Sequence, residues 1–368
     1  MEREELYYLM ALTRIEGVGN VVARKLLRYF DSPKAIFAAS VKDLLAIEGI
    51  GRGLVNKIRS FDQFNLVDQE LQYVDSKGVE IMNIFDDNYP YLLKQCVDAP
   101  LILFYKGIDF SLYANMLSVV GTRNITQNGI AFINESIKKL QSYNPTVVSG
   151  YAFGADIHAH LAAIDNNLKT IAVLGHGLQQ TYPAMHKKHN QKIIENGGFL
   201  TEFWSSDAVN RENFVRRNRI VAGLSAGTVV VESAIRGGSL STARLANDYN
   251  REVMAVPGRI TDPYSAGCNH LIKTNQAHLI TSYEDIVHLM GWENVIDSKP
   301  KSVQPQLFVE LTDEEQIIAD YLANKDKELL DVIAIETNIP VQQLMVVLFN
   351  LEMKGLVKPL QGKYYQWI

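Results

Sequence analysis

A doubly wound, mostly parallel α/β sheet is the fold class this sequence predicts, and three observations predict it. Short apolar runs rich in β-branched residues recur beyond about residue 75, helical segments separate them, and small-residue loops follow them. The runs are Leu117–Val120, Thr146–Ser149, Ile171–Leu174, Phe199–Thr201, Thr228–Val231 and Val253–Val256. Most are continuous rather than alternating, as strands covered on both faces should be. Between them lie helical patterns, among them Ile130–Leu140, Ile157–Ile164 and Leu240–Tyr249. Strand and helix repeated in this way read as a doubly wound sheet over residues 75–296.

Before this core the chain repeats itself. Ile15-Glu16-Gly17-Val18-Gly19 returns as Ile47-Glu48-Gly49-Ile50-Gly51, and each copy precedes a helical stretch, Val21–Leu27 and Leu54–Ile58. This resembles the helix-hairpin-helix (SAM-like) motif, whose Gly-hydrophobic-Gly turn can offer backbone N–H groups to a phosphate. The same turns would equally serve a small helical bundle over residues 1–70, which is not visibly basic: it holds ten basic and ten acidic residues. After the core, residues 297–308 read as a linker, with two prolines and no helical period in Asp297–Gln306. Residues 309–368 then give a capped helix start at Leu311–Glu315, a helix at Leu329–Glu336, a turn at Asn338–Pro340, a helix at Val341–Lys354 and a hairpin around Gln361-Gly362. That order is a winged helix-turn-helix. Its second helix is mostly apolar, so protein contact or autoregulation fits it better than base reading, which needs Arg, Lys, Asn or Gln on the exposed face.

Composition narrows the function classes. A length of 368 residues favours two or three compact units, and 47% hydrophobic residues can fill their cores. No run of about eighteen uncharged apolar residues offers a membrane span. The acidic start MEREELYYLM is unlike a signal peptide, and Cys96 and Cys268 are too few for a disulfide framework. A cytoplasmic protein is the expectation.

The net charge of −5 is unevenly spread. Residues 309–368 carry ten acids and five lysines, a net of −5, so residues 1–308 sum to zero. Within 205–260 stand eight Arg, no Lys and five acids, including the succession Arg216-Arg217-Asn218-Arg219. Arg suits planar, bidentate phosphate contacts and stacking on bases. Ligands of doubly wound sheets collect at the carboxyl ends of the strands. Three loops there have suitable chemistry besides the arginine run: Gly121-Thr122-Arg123, Ser149-Gly150 through Gly154 to Asp156, and Gly237-Gly238-Ser239. Each alone fits tight packing as well as phosphate binding; four at one sheet edge point to a polyanion. Taken as opening a helix at Phe214, the run places Arg217 and Asn218 within the apolar arc. A helix does not bury an unpaired guanidinium, so these two are expected to project from the first turn into the crevice, with Arg216 and Arg219 leaning to solvent or pairing with acids.

Catalytic signatures are weak. His158/His160 and His186/His189 lack a cysteine or carboxylate cluster that would make a zinc site, and neither GxxxxGK(S/T) nor GxSxG occurs. No cofactor or metal is expected. Asp156 and Glu232, acids near the crevice, read as helix caps or arginine partners.

The core motifs closely resemble the DprA/Smf family of DNA-processing proteins. The resemblance is carried by Tyr89-Pro90 through Pro100 and Gly107, Val119–Arg123, Ser149–Asp156 with His158 and His160, and Ala172–Leu178 to Tyr182-Pro183. It continues through Arg217–Ser225, Gly238–Ala243, Val256–Gly258 and Gly267-Cys268-Asn269 with Ile272, together spanning roughly 85–285. It implies an extended Rossmann-like core that binds single-stranded DNA, forms a homodimer and helps load the RecA recombinase during natural transformation, with no enzymatic reaction. Carried over motif by motif, the implied DNA pocket falls on Gly121, Thr122, Arg123, Ser149, Gly150, Gly154, Arg217, Asn218, Arg219, Gly238 and Ser239. Ala155 and Gln179-Gln180 depart from the family pattern, in the second and third loops. Two other readings stand beside this one. A nucleotide-binding or nucleotide-hydrolysing Rossmann-like enzyme would need a positioned Glu and Arg that the glycine loop here lacks. A plain adaptor would work through its winged end.

Overall fold

The computed structural model describes residues 3–110, 113, 115–292, 311–323, 325, 327–360 and 364–367. The chain divides into two compact units, Met1–Asp297 and Ser298–Ile368.

The first unit begins with six helices: α1 (Arg3–Arg14), α2 (Asn20–Tyr29), α3 (Pro33–Ala38), α4 (Val41–Leu45), α5 (Arg52–Arg59) and α6 (Phe64–Lys77). The repeated Gly turns do the same job twice. Gly17 and Gly49 take φ of +90° and +81°, a backbone region glycine enters without a Cβ penalty, and Gly19 and Gly51 then cap α2 and α5. This bundle is keyed to the sheet by polar contacts. Glu70 on α6, buried, accepts the Ser205 N–H at 2.9 and 3.0 Å and its hydroxyl at 2.5 Å. Arg14 pairs with Asp207 at 2.8 Å while lying over the Trp204 ring.

The sheet follows as β1 (Glu80–Asn83), α7 (Tyr91–Gln95), β2 (Ile102–Lys106), β3 (Met116–Val120), α8 (Gln127–Lys139), β4 (Thr146–Ser149), α9 (Ala155–Asp165), β5 (Thr170–Val173), α10 (Asn190–Glu195), β6 (Gly197–Thr201), α11 (Arg211–Leu224), β7 (Gly227–Val230), α12 (Gly238–Asp248), β8 (Glu252–Ala255), α13 (Ala266–Lys273), β9 (His278–Leu279) and α14 (Tyr283–Leu289). Its order is β1-β2-β6-β5-β4-β3-β7-β8-β9. From β6 to β9 every neighbouring pair is parallel, whereas β1–β2 and β2–β6 are antiparallel. The predicted doubly wound sheet is therefore present, and its six anticipated strands correspond to β3–β8 within a residue or two. The antiparallel edge was not anticipated. Alternate strand residues supply the two cores: Leu117, Val119, Val147 and Val229 pack with α8, α9 and α14, while Val120, Val148, Ile171 and Val230 pack with α11 and α12.

One local expectation is corrected. The helix that carries the arginine run starts at Arg211, because the Asn210 side chain accepts the Asn213 N–H and caps it. Arg217 and Asn218 thus lie in the second turn, not the first.

The second unit holds α15 (Asp313–Leu322), β10 (Glu328–Leu329), α16 (Leu330–Thr337), α17 (Val341–Met353), β11 (Val357–Leu360) and β12 (Tyr364–Trp367), with sheet order β10-β12-β11. Thr312 and Glu315 form a capping box at the start of α15, and Asn338 ends α16 in the left-handed region. This is a winged helix. The tip of its hairpin around Gln361-Gly362 and the linker 297–308 lie outside the described residues.

Candidate functional site

The strand order runs outward from β3 in both directions, to β4 on one side and β7 on the other, and loops at this switch point part to leave a crevice. A recess of about 860 Å³ occupies it. Of the anticipated residues, Gly121, Thr122, Arg123, Gly150, Arg217, Asn218, Gly238 and Ser239 line it. The structure thus brings together the loop after β3, the loop after β4, the arginine helix and the start of α12.

The remaining three anticipated residues are not among its lining. Ser149 is fully buried and donates to the Val119 carbonyl at 2.6 Å, tying β4 to β3. Gly154 has φ +76°, and a Cβ there would sit 2.2 Å from the Thr122 carbonyl oxygen; it lets the second loop close on the first. Arg219 turns away: its guanidinium donates to Glu202 and to the Asp98 carbonyl, at the side of α11 facing the start of the chain's sheet. Arg216 also leans on Glu202, at 3.6 Å, and stays largely exposed over the Phe203 ring. Leaning to solvent or pairing with an acid was the expectation from helical geometry for both, and both face Glu202.

Arg217 is buried, at 4% exposure, although it lines the recess. Its Nη1 donates to the Gly150 and Val173 carbonyls at the ends of β4 and β5, and its Nε donates to Asn218 Oδ1 at 3.3 Å. Burial lowers its pKa to about 10, with nearby Asp156 opposing the shift. Burial conversely raises the Asp156 carboxyl, opposed first by Arg217 and then by the Ala152 N–H at 3.2 Å. A Cβ on Gly150 would come within 2.6 Å of the Arg217 guanidinium, so the glycine makes room for this strut. Arg217 therefore acts as a beam under the recess floor, with its Nη1 and Nε donors engaged by the protein. Glu232, the other acid near the crevice, caps α8 by accepting the Thr126 N–H at 2.9 Å and hydroxyl at 2.5 Å.

The open chemistry lies around the rim. Arg123, Arg211 and Arg236 are exposed, line the recess, and have no hydrogen-bonded or ionic partner among the described residues. Arg211 and Arg236 belong to the local Arg excess noted above, but were not singled out because neither lies in the run or a glycine loop. The N-terminus of α12 has no side-chain cap, and at Gly238 a Cβ would meet nothing within 4 Å. That helix end offers backbone N–H groups and a positive dipole to an anion. Tyr182 and Phe214, with ring centroids 5.4 Å apart, form an aromatic corner of the same recess.

Fold and recess together define a Rossmann-like α/β protein with an arginine-rimmed switch-point crevice, preceded in the chain by a helical region and followed by a winged-helix unit. The chain belongs to the DprA/Smf family: the model of DNA recombination-mediator protein A matches residues 80–291. A SAM-like helix-hairpin-helix tandem matches residues 9–61 and a DprA winged helix domain matches residues 303–363. The chain is 40% identical to DNA processing protein DprA of Streptococcus pneumoniae over 205 residues, covering 56% of this chain and 72% of that protein. It is 33% identical to Protein Smf of Escherichia coli, covering 81% of this chain and 80% of the relative. Among solved structures, the S. pneumoniae DprA aligns with a TM-score of 0.66 at 32% identity, over 78% of this chain and 98% of that one. DNA processing protein A from Helicobacter pylori, described with its single-stranded DNA binding mode, aligns with a TM-score of 0.52 at 26% identity, over 58% and 96% respectively. Among the described residues no single helix is long and apolar enough to cross a membrane.

Proposed function

We propose that this chain binds single-stranded DNA in the recess of its core, protects incoming strands and helps deliver them to a RecA recombinase, acting as a homodimer in natural transformation. The observation that carries the reading is the set of three guanidiniums without a partner among the described residues, Arg123, Arg211 and Arg236, which line the same recess as the uncapped start of α12. Fixed guanidiniums and backbone N–H groups grip phosphates without reading sequence, and an aromatic corner gives bases a surface to stack on. The relative from H. pylori, described as binding single-stranded DNA, supports the same assignment. In this reading residues 75–296 are the DNA-binding core, 1–70 and 309–368 are accessory units, and phosphate contacts fall on Gly121, Thr122, Arg123, Asn218, Gly238 and Ser239 together with Arg211 and Arg236. Ser149, Gly150, Gly154 and Arg217 shape the loops that present them.

Gel-shift titration with short single- and double-stranded oligonucleotides tests it. The expected result is a preference for the single strand. Equal affinity for both forms, or release of free base from nucleotides by the pure protein, would favour the nucleotide-hydrolysing alternative or an adaptor role instead.

A further inference from the structure

The winged unit presents an apolar surface that its own core does not use. On α17 the inward positions are Leu344, Val347, Leu348 and Leu351, all buried. The outward positions Val341, Met345, Val346, Phe349 and Met353 are 40–73% exposed. At 100° per residue these five share an arc of about 140°, interrupted only by Gln342 and Glu352. Scattered exposed apolar residues are ordinary, but five on one helix face make a patch, and such patches mark contact sites.

Charge identifies what fits there. Along one edge of the patch Asp313 and Glu314 of α15 join Gln343, Val346 and Asn350 in lining a notch, and Glu314 accepts from the Gln343 amide. Glu352 stands on the other edge. The helix carries no basic residue, and Lys354, just past its end, is paired with Glu315 at 2.6 Å. DNA is disfavoured on this face, since the helix that would enter a groove brings one acid, Glu352, and no cation. A second copy of the same surface is disfavoured as well, since two copies of residues 309–368, each of net −5, would meet acid against acid.

We propose that the outer face of α17 docks a protein partner's amphipathic helix, apolar on the contacting side and edged by Lys or Arg. The apolar stripe would receive the partner's anchors at helical spacing, and the two methionines adapt readily to a helix laid across them. Asp313, Glu314 and Glu352 would set its orientation by charge.

The test uses the full-length protein and a fluorescein-labelled helical peptide of Leu and Lys, about 18 residues or five turns long, with a Leu/Glu peptide of the same pattern as control. Anisotropy should show saturable binding of the Leu/Lys peptide only. Phe349→Ser and Met345→Ser should each weaken it at least about tenfold, with Tm and single-stranded DNA binding unchanged. Any of four results overturns the proposal: no saturable binding, equal binding of the Leu/Glu peptide, binding insensitive to both substitutions, or duplex DNA binding by the parent protein that Phe349→Ser abolishes. Dissociation of a dimer by Phe349→Ser in sedimentation would overturn it in favour of a second copy as the occupant.

Discussion

Neighbouring arginines on one helix have opposite duties, and the difference is measurable. Removing Arg217 strands the Gly150 and Val173 carbonyls and leaves Asp156 without its nearby positive charge. Arg217→Ala is expected to destabilise the protein by about 3 kcal/mol, whereas Arg216→Ala, at an exposed pair, should cost less than about 0.5 kcal/mol. Urea titration of the two variants checks this, and Arg217→Ala should lose DNA affinity only as its loops slacken. A second residue links stability to pH. His160 is fully buried; Thr170 donates to the Val147 carbonyl, so its oxygen accepts from His160 Nδ1, at 2.6 Å, and Nε2 has no partner among the described residues. Burial lowers its pKa to about 3. Since the unfolded imidazole takes a proton near pH 6.5 and the folded one refuses it, this residue makes stability fall as pH drops from about 6.5 toward 3. Thermal melts of His160→Leu across that range should show a shallower decline than the parent.

At the scale of elements, the start of α12 separates binding from folding. Gly238 has open space around its missing Cβ, and a carboxylate in the first turn of a helix stabilises that helix. Gly238→Asp should therefore keep or raise Tm while placing a negative charge where a phosphate would sit. Oligonucleotide affinity should fall at least about tenfold, read by anisotropy at low salt. The same element shows what could be read from sequence. Parallel strands announce themselves as unbroken apolar runs, so β3–β8 and their following loops were legible. β1 and β2 were not: EIMN and ILFYK resemble many buried segments, and their pairing is decided by the free edge of β6, which no local pattern encodes. Eight recess residues were legible: six because glycine loops mark the turns between strands and helices, and Arg217 and Asn218 because the arginine run marks its own helix. The placing of Arg217 in the second turn depended on where α11 begins, and Asn210 sets that start at Arg211, three residues before the apolar stretch at Phe214; the turn of Arg219 toward Glu202 is a tertiary pairing that no local pattern encodes.

Across the whole molecule, binding should follow charge that is free rather than charge that is present. The formal net charge is −5, yet three arginines without a partner among the described residues line one recess. Affinity for single strands should then fall linearly in log–log form with salt, and Arg123→Ala should reduce the slope by about 0.7, the value for one phosphate contact on a single strand. A slope unchanged in that variant would place the strand elsewhere on the surface. The antiparallel edge of the sheet has another consequence, for synthesis. Phe104 pairs with Thr201, 97 positions later, so β2 leaves the ribosome well before the strand it must join. At about 5–20 residues per second that interval lasts roughly 5–20 s. For that time an aromatic, apolar strand has only β1 on one side and nothing on the other, and nascent chains halted before Gly197 are the ones a holding chaperone should capture.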